Sequence, residues 1–486
     1  MSVSRVELEH VAVIGAAWQG HICCRRCSWG SVPSKRRLFT RHHMKHSVPL
    51  MIISARWEWF QYKILLALFG TSLVIRLIAL SIFPDLPLDT NSILVYLPGA
   101  QLLIEGNGFR DPTFSVLSPP LYAVAIATSS FILGSGDFAV KVLQVIADSV
   151  TVILIYFIAS EIFDFNTAAL TSLGWAFYPF AIYPTLYIGP EAFFTCALSG
   201  AILLIIYAIK LGAWKYYCAA GVLLGIATLT RATTQWFPII LLLVLVSIQP
   251  FKKRILLQYS VLLVSFCLVI APWSLRNYLV LKEVIPVATS GGMVFLWGSS
   301  DEFLTINERE KYLPGYFELL KHRGIEFAAH SSGPSEKAAF LFRAGIESYK
   351  MQLEKDQLAT LTFLIRKVLR LWYSTESGEK HLMILAVNIV IYILASVGLL
   401  LTWKRKNKLA ILPLGLCVYF VLVHSITLPL FRYMVPVMPY VIAFSASTVV
   451  IVATSCRMNG IQPGSFQKDM RGQDLLSDND SHGLRD

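Results

Sequence analysis

The sequence predicts an all-α polytopic membrane protein, a bundle of about ten transmembrane helices. Of the 486 residues, 55% are hydrophobic and 15% are charged, whereas a soluble protein carries about 25% charged residues. Apolar runs close to the roughly 20 residues that cross a hydrocarbon core recur along most of the chain. The sequence shows none of the short alternating segments that are typical of a membrane β-barrel. One membrane-embedded helical domain is therefore the simplest prediction.

The formal net charge of +12 raises the question of a nucleic-acid partner. The basic residues lie in short loops and near the termini, which is the distribution that the positive-inside rule describes. We therefore attribute the charge to membrane topology and expect no nucleic-acid partner.

Ten apolar runs are predicted to cross the membrane. They cover about 62–83, 138–160, 166–187, 192–210, 216–230, 234–249, 255–275, 382–402, 409–428 and 433–454. A further run, 116–133, is short and carries two prolines near its start. Counting it as a span would place the basic clusters 252–254 and 404–406 outside. We interpret it as a re-entrant or juxtamembrane helix on the outer face, which keeps both clusters inside.

Five parts follow from this topology. They are a disordered cytoplasmic extension (1–55), a catalytic transmembrane module (56–275, with a first outer loop at 84–137), a small extracytoplasmic segment (276–380), C-terminal transmembrane helices (381–455) and a disordered cytoplasmic tail (456–486). Within the extracytoplasmic segment, Leu361–Trp372 has apolar residues at helical spacing. This pattern indicates either an amphipathic helix on the outer interface or a simple lead-in to the next span.

The predicted topology collects charged residues on the outer face. They are Asp85, Asp89, Glu191, Arg231, Arg276 and Arg432. Charges at membrane depth are costly and usually face a cavity or one another. An arginine at a helix end can also simply extend to the interface, and a carboxylate in a first helical turn is favoured by the helix dipole. The convergence predicts a site for an anionic substrate with carboxylates for proton transfer. Asp148, in mid-span, is interpreted as a hydrogen-bonded packing residue.

Six motifs run in order through most of the chain. They are YLPGA with EGNGF (96–109), SPPLY (118–122), GPEAFF (189–194), LTRA (229–232), PWSLRNY followed by VATSGG (272–292), and RYMVPVMP (432–439). Together they resemble the C-type (GT-C) glycosyltransferase superfamily. Within it they are most similar to family-39-like, polyprenyl-phosphate-sugar-dependent transferases, such as protein mannosyltransferases and aminoarabinose transferases. PWSLRNY is the most specific of the six motifs.

The resemblance implies a multi-pass enzyme, for which we expect a bacterial inner membrane and an active site facing the periplasm or exterior. Its donor would be a dolichyl or undecaprenyl phosphate sugar, and its acceptor a protein, lipid or glycan. Transfer would invert the anomeric carbon in one displacement. The implied catalytic residues are Asp89, as the base, and Glu191. The implied substrate-binding residues are Arg276, Arg231, Arg432, Tyr96, Tyr122, Asn277 and Tyr433.

The sequence departs from the family pattern at the first-loop carboxylate. Family members usually carry this Asp about four residues before the tyrosine that matches Tyr96, and here that position is Ser92. An extra helical turn or a local insertion would restore the place of Asp89, and Asp85 or Asp111 could substitute for it. The sequence has no dedicated metal-ligand cluster, so a divalent metal has no support and metal dependence stays open. The alternatives are a lipid-linked oligosaccharide ligase or polymerase and a secondary transporter.

Overall fold

A computed structural model describes residues 48–88, 91–134, 136–249, 253–299, 333–375 and 380–460. Its contacts divide the chain into two units, 1–59 and 60–486. Within the first unit the structure describes only residues 48–59, which are helical. All secondary structure in the described ranges is helical, so the predicted all-α class is confirmed.

The helices are numbered in chain order. They are α1 (Val48–Ile82), α2 (Leu97–Ile104), α3 (Leu121–Leu133), α4 (Asp137–Ile162), α5 (Phe165–Ala176), α6 (Pro179–Ile182), α7 (Glu191–Leu211), α8 (Trp214–Thr230), α9 (Phe237–Ile248), α10 (Lys253–Leu281), α11 (Ser290–Trp297), α12 (Pro334–Lys355), α13 (Gln357–Arg370), α14 (His381–Lys404), α15 (Ile411–Ile426) and α16 (Met438–Gly460). A π-helical turn, Ser92–Tyr96, leads into α2.

Seven segments in the described part of the chain are long and apolar enough to cross a membrane. They are Trp59–Ile82, Asp137–Ile162, Glu191–Leu211, Lys253–Leu281, His381–Lys404, Lys408–Ile426 and Phe431–Cys456. Each coincides with one of the ten predicted spans. The other three predicted spans fall on the shorter helices α5, α8 and α9. Proline explains the shortening after α5, because Pro179 begins α6 and Pro184 is the second residue of the 3₁₀ turn Tyr183–Thr185.

Helix α3 is the short apolar run on which the predicted topology depends. It has 13 residues, so it rises about 20 Å at 1.5 Å per residue. A hydrocarbon core is about 30 Å thick. Helices α5 and α9, which fall on predicted spans, have 12 residues each, so helix length does not distinguish α3 from them, and its interpretation as a non-spanning helix stays a prediction.

The predicted terminal segments meet the described residues at both ends. Helix α1 begins at Val48, inside the predicted extension 1–55, and α16 ends at Gly460, inside the predicted tail 456–486. The rest of both segments lies outside the described residues. In the segment predicted to be extracytoplasmic, α13 confirms a helix across most of Leu361–Trp372, with Leu358, Leu361 and Ile365 exposed.

The basic loops gather at one end of the helical bundle, here called the basic end. Lys210 forms an ion pair with Glu161, and Arg254 donates to the carbonyl oxygen of Gly212 at 2.9 Å. Asn407 donates to the carbonyl oxygen of Ile162 at 2.5 Å. The loops that follow α4, α7 and α14 therefore lie at the same end, as the charge pattern predicted.

A buried ion pair joins α1 to α4. Arg76 donates through Nε to an Asp148 carboxylate oxygen at 2.5 Å, and Trp175 donates to the other oxygen at 3.2 Å. Arg76 also donates to the carbonyl oxygen of Ala176, at the end of α5. The interpretation of Asp148 as a hydrogen-bonded packing residue is confirmed.

Candidate active site

Three of the predicted charged residues, Glu191, Arg231 and Arg432, meet in a cavity at the end of the bundle opposite the basic end, here called the site end. Helix α7 runs from Glu191 at this cavity to Leu211 at the basic end, and α8 returns from Trp214 to Thr230, just before Arg231. The cavity is lined by residues from the first loop, the starts or ends of several helices and the segment before α16, among them Asn91, Glu191, Arg231, Trp297, His424, Arg432 and Tyr433.

A Glu191–Arg231 ion pair lies in the wall of this cavity. Arg231 Nη1 donates to Glu191 Oε1 at 3.0 Å. Glu191 is the first residue of α7, and only 5% of it is exposed. Its other oxygen, Oε2, has no hydrogen-bond partner among the described residues. A side chain at Gly189 would collide with Oε2, so the glycine leaves room for this carboxylate.

Two guanidinium groups flank the ring of Tyr433. The Cζ atom of Arg231 lies 5.3 Å from the ring centroid, and that of Arg432 lies 5.2 Å from it. These are cation–π distances. The imidazole of His424 stacks on the same ring, with centroids 4.7 Å apart and planes 18° apart. Tyr433 thus holds two cations and a histidine around one cavity, a combination suited to an anionic ligand.

The two predicted tyrosines of the first outer loop differ in their position relative to the cavity. Tyr96 lines the cavity, and its ring meets the edge of Tyr122 at 4.9 Å. Tyr122 is 1% exposed and donates its hydroxyl to Gln144 Oε1 at 2.5 Å. The structure therefore places Tyr122 behind the cavity wall, where it supports Tyr96.

Arg276 and Asn277, from the most specific motif, lie outside the cavity lining. Arg276 donates through Nε to the carbonyl oxygen of Phe109 at 2.5 Å and through Nη2 to that of Asp111 at 2.7 Å. Asn277 is fully buried and donates to the carbonyl oxygen of Ile285 at 2.9 Å. Both side chains donate to backbone carbonyl oxygens: Arg276 binds the first loop, and Asn277 binds the turn after α10.

The first-loop carboxylates differ in their surroundings. Asp89 lies outside the described residues, although Asn91, two positions later, lines the cavity. Asp85 is exposed. Asp111 accepts hydrogen bonds from the Thr113 hydroxyl and backbone N–H, at 2.6 and 2.8 Å. These bonds, with a smaller contribution from Arg276, lower the pKa of Asp111. A lowered pKa weakens a carboxylate as a base.

Ser92 occupies the position where the family pattern has its aspartate. It is fully buried and donates its hydroxyl to the carbonyl oxygen of Ile188 at 2.6 Å. This bond ties the first loop to the turn that precedes Glu191. Ser92 also begins the π-helical turn Ser92–Tyr96. A π-helical turn accommodates one residue more than an α-helical turn.

Sequence reasoning missed two residues near the cavity. His424 lies in the last turn of α15, and a histidine inside an otherwise apolar span was an available signal. Lys367 looks like a solvent-facing lysine in the sequence of an amphipathic helix. It is instead fully buried and donates to the carbonyl oxygens of Gly298 at 2.5 Å and Ile426 at 3.0 Å. No local pattern distinguishes it from its neighbours. In the described ranges, no group of three His, Cys, Asp or Glu side chains is placed to hold a metal ion.

Comparison with known proteins agrees with this architecture. Residues 118–275 match the model of the dolichyl-phosphate-mannose-protein mannosyltransferase family. No curated protein sequence matches the chain. The apo oligosaccharyltransferase of Archaeoglobus fulgidus aligns with a TM-score of 0.52 at 14% identity, over 82% of this chain and 51% of that one.

Two further structures align. AglB from the same archaeon, in complex with an inhibitory peptide and a dolichol-phosphate, has a TM-score of 0.50 at 13% identity, over 88% of this chain and 53% of that one. ArnT from Cupriavidus metallidurans, bound to undecaprenyl phosphate, has a TM-score of 0.36 at 13% identity, over 81% of this chain and 77% of that one. The two archaeal structures share the fold of this chain, which spans about half the length of each of them.

The helical architecture and the two archaeal alignments agree with the GT-C membrane fold. The predicted resemblance to C-type glycosyltransferases is thereby confirmed. Within that class, the sequence match of residues 118–275 is to the protein mannosyltransferase family named above.

Proposed function

We propose that this protein transfers a sugar from a polyprenyl phosphate to an acceptor on the extracytoplasmic face of the membrane. The observation that carries the proposal is the cavity in which Glu191, Arg231 and Arg432 surround Tyr433. A polyprenyl phosphate brings an anion to the membrane surface, and this cavity offers it two guanidinium groups at the end of a transmembrane bundle.

The chemistry requires stabilisation of the departing phosphate. Its negative charge grows as the bond to the anomeric carbon breaks, and arginine offers a planar fork of donors to phosphate oxygens. Donors that are already in position cost no rearrangement during the reaction. Arg231 is held by its ion pair with Glu191 and by the Tyr433 ring. We assign Arg231 and Arg432 as the principal phosphate ligands.

The acceptor hydroxyl must lose a proton as it attacks. We keep Asp89 as the proposed base, with Glu191 orienting Arg231 and the acceptor. Asn91, two positions after Asp89, lines the cavity, which supports this choice. The π-helical turn Ser92–Tyr96 accommodates one of the three residues by which Asp89 precedes the family position. Attack from the side opposite the leaving phosphate inverts the anomeric carbon, through an oxocarbenium-like transition state.

Arg276 receives a positioning role in this proposal. Its donors are directed to the carbonyl oxygens of Phe109 and Asp111 and to the side chain of Asn277. We therefore propose that Arg276 holds the first outer loop against α10, and that its contribution to phosphate binding is indirect.

Matched carboxylate variants test the proposal. Asp89→Asn and Glu191→Gln each remove one charge and preserve shape, and Asp85→Asn is the control in the same loop. With a polyprenyl-phosphate-linked sugar as donor, we expect the transfer rate of Asp89→Asn to fall about 10²–10⁴-fold, the usual contribution of a general base. We expect Glu191→Gln to lose activity as well and Asp85→Asn to retain it.

The result that would contradict this assignment is full transfer activity in both Asp89→Asn and Glu191→Gln. Loss of activity in Asp85→Asn alone would instead move the base to Asp85. A panel of sugar donors and of protein, lipid and glycan acceptors, tested with the purified wild-type protein, identifies the substrates. Transfer of an oligosaccharide in place of a single sugar would favour the ligase alternative.

A further inference from the structure

His424 is a buried polar residue in the cavity that the proposed mechanism does not use. It lies in the last turn of α15 and is 6% exposed. Neither ring nitrogen has a hydrogen-bond partner among the described residues, and the residue lines the cavity. A buried polar group without a partner is costly, and phenylalanine would fill the same space without that cost.

The surroundings of His424 hold its imidazole in one place. One face stacks on Tyr433, and the ring of Phe420, one turn earlier on α15, lies 5.8 Å away. The end of α15 is itself held, because Lys367 donates to the carbonyl oxygen of Ile426 at 3.0 Å. Because the side chain is already fixed, it loses little conformational entropy when it binds a ligand.

The charge around His424 indicates which ligand it meets. The Tyr433 ring on which it stacks lies within 5.3 Å of the guanidinium carbons of both Arg231 and Arg432. An anion bound by these two arginines would be next to the imidazole edge. A neutral imidazole can donate one N–H to a phosphate oxygen and accept with the other nitrogen.

We propose that His424 is a third phosphate ligand of this site, donating a ring N–H to the phosphate of the lipid-linked donor. The assignment rests on the proposed function, because it takes the polyprenyl phosphate as the ligand. It adds to that function a neutral donor, which keeps its hydrogen bond as the phosphate gains charge on leaving.

Binding of undecaprenyl phosphate to the purified full-length protein in nanodiscs tests the assignment. His424→Phe keeps the ring stacked on Tyr433 and removes both nitrogens. Because a hydrogen bond to a charged group contributes more than a neutral one, we expect His424→Phe to weaken binding by about 10-fold or more. His424→Asn restores a donor near the position of Nδ1, and we expect it to bind more tightly than His424→Phe.

Undecaprenol, the same lipid without phosphate, is the matched ligand control. We expect undecaprenol to bind more weakly than undecaprenyl phosphate, and with the same affinity to the wild type and to His424→Phe. Equal affinity of the wild type, His424→Phe and His424→Asn for undecaprenyl phosphate would overturn the His424 assignment and leave the proposed function intact. A wild-type protein that prefers the phosphate lipid no more than undecaprenol would overturn the proposed function together with the assignment.

Discussion

At the scale of single residues, two buried carboxylates differ in how completely their oxygens are hydrogen-bonded. Arg76 and Asp148 pair with each other, and hydrogen bonds from Trp175 and to Ala176 satisfy the pair further. Glu191 pairs with Arg231 through one oxygen only. A fully satisfied buried pair supports the fold, whereas a pair with a remaining acceptor at a cavity can still interact with a substrate.

The Arg76–Asp148 pair leads to a prediction about stability. We expect Arg76→Met to lower the free energy of unfolding by about 3–5 kcal/mol, because it leaves the Asp148 charge buried without its partner. The double variant Arg76→Met, Asp148→Leu removes both charges and should recover most of this loss. Denaturant unfolding in detergent measures both values. A double variant no more stable than Arg76→Met would contradict the explanation.

Residue chemistry predicted part of the candidate site. Glu191, Arg231, Arg432, Tyr96 and Tyr433 were all selected from the sequence, and they line one cavity. Charge at the end of an apolar run was a sufficient signal for the first three. His424 was missed although a histidine in an apolar span is a signal, because the sequence does not show which residues of other helices lie beside it.

At the scale of elements, Lys367 and Tyr349 hold helices α12 and α13 against the ends of α11 and α15. Lys367 on α13 contacts the carbonyl oxygen of Gly298, at the end of α11, and that of Ile426, at the end of α15. It also donates to the hydroxyl of Tyr349, on α12, at 2.7 Å. A single ammonium group therefore joins four helices beside the candidate site.

A substitution at Lys367 tests this anchoring role. We expect Lys367→Met to lower the free energy of unfolding by about 1–3 kcal/mol, since it removes a buried donor to the carbonyl oxygens of Gly298 and Ile426 and leaves them only the Tyr349 hydroxyl. Lys337→Met, at an exposed position on α12, is the matched control and should change stability by less than about 0.5 kcal/mol. Equal stability of the two variants in thermal unfolding would refute the role of Lys367.

Helix existence was predictable from local pattern, but helix length was not. The ten apolar runs all lie on helices, yet α5, α8 and α9 are shorter than a membrane span at right angles to the bilayer needs. Apolar composition extends past the places where proline or a polar turn ends a helix. Pro179 and Pro184 after α5 are examples.

At the scale of the whole molecule, the two ends of the bundle differ in chemistry. The basic end carries Lys210, Arg254 and the loop before α15, and the site end carries the cavity. Helices α7 and α8 run between the two ends, so their length separates the basic residues from the cavity. We propose that the basic end faces the cytoplasm, in accord with the positive-inside rule.

Reporter fusions test this orientation. Alkaline phosphatase inserted after Val284, in the turn that follows α10, should be active if that turn lies on the extracytoplasmic side, as the proposed orientation requires. The same insertion after Arg405, in the turn that follows α14, should be inactive, and a cytoplasmic reporter should give the opposite pattern. If the insertion after Arg405 alone were active, the basic end would face outward and the proposed site would be cytoplasmic.

The sequence alone determined the membrane class, the helical composition and the residues at the ends of the apolar runs. These are local properties, because hydrocarbon length and loop charge can be read from one segment at a time. Only the tertiary structure decided which charged residues share a cavity. It brought Glu191 to Arg231, placed His424 beside them and directed Arg276 to the backbone of the first loop. Convergence depends on how helices pack, and that arrangement is a property of the whole bundle.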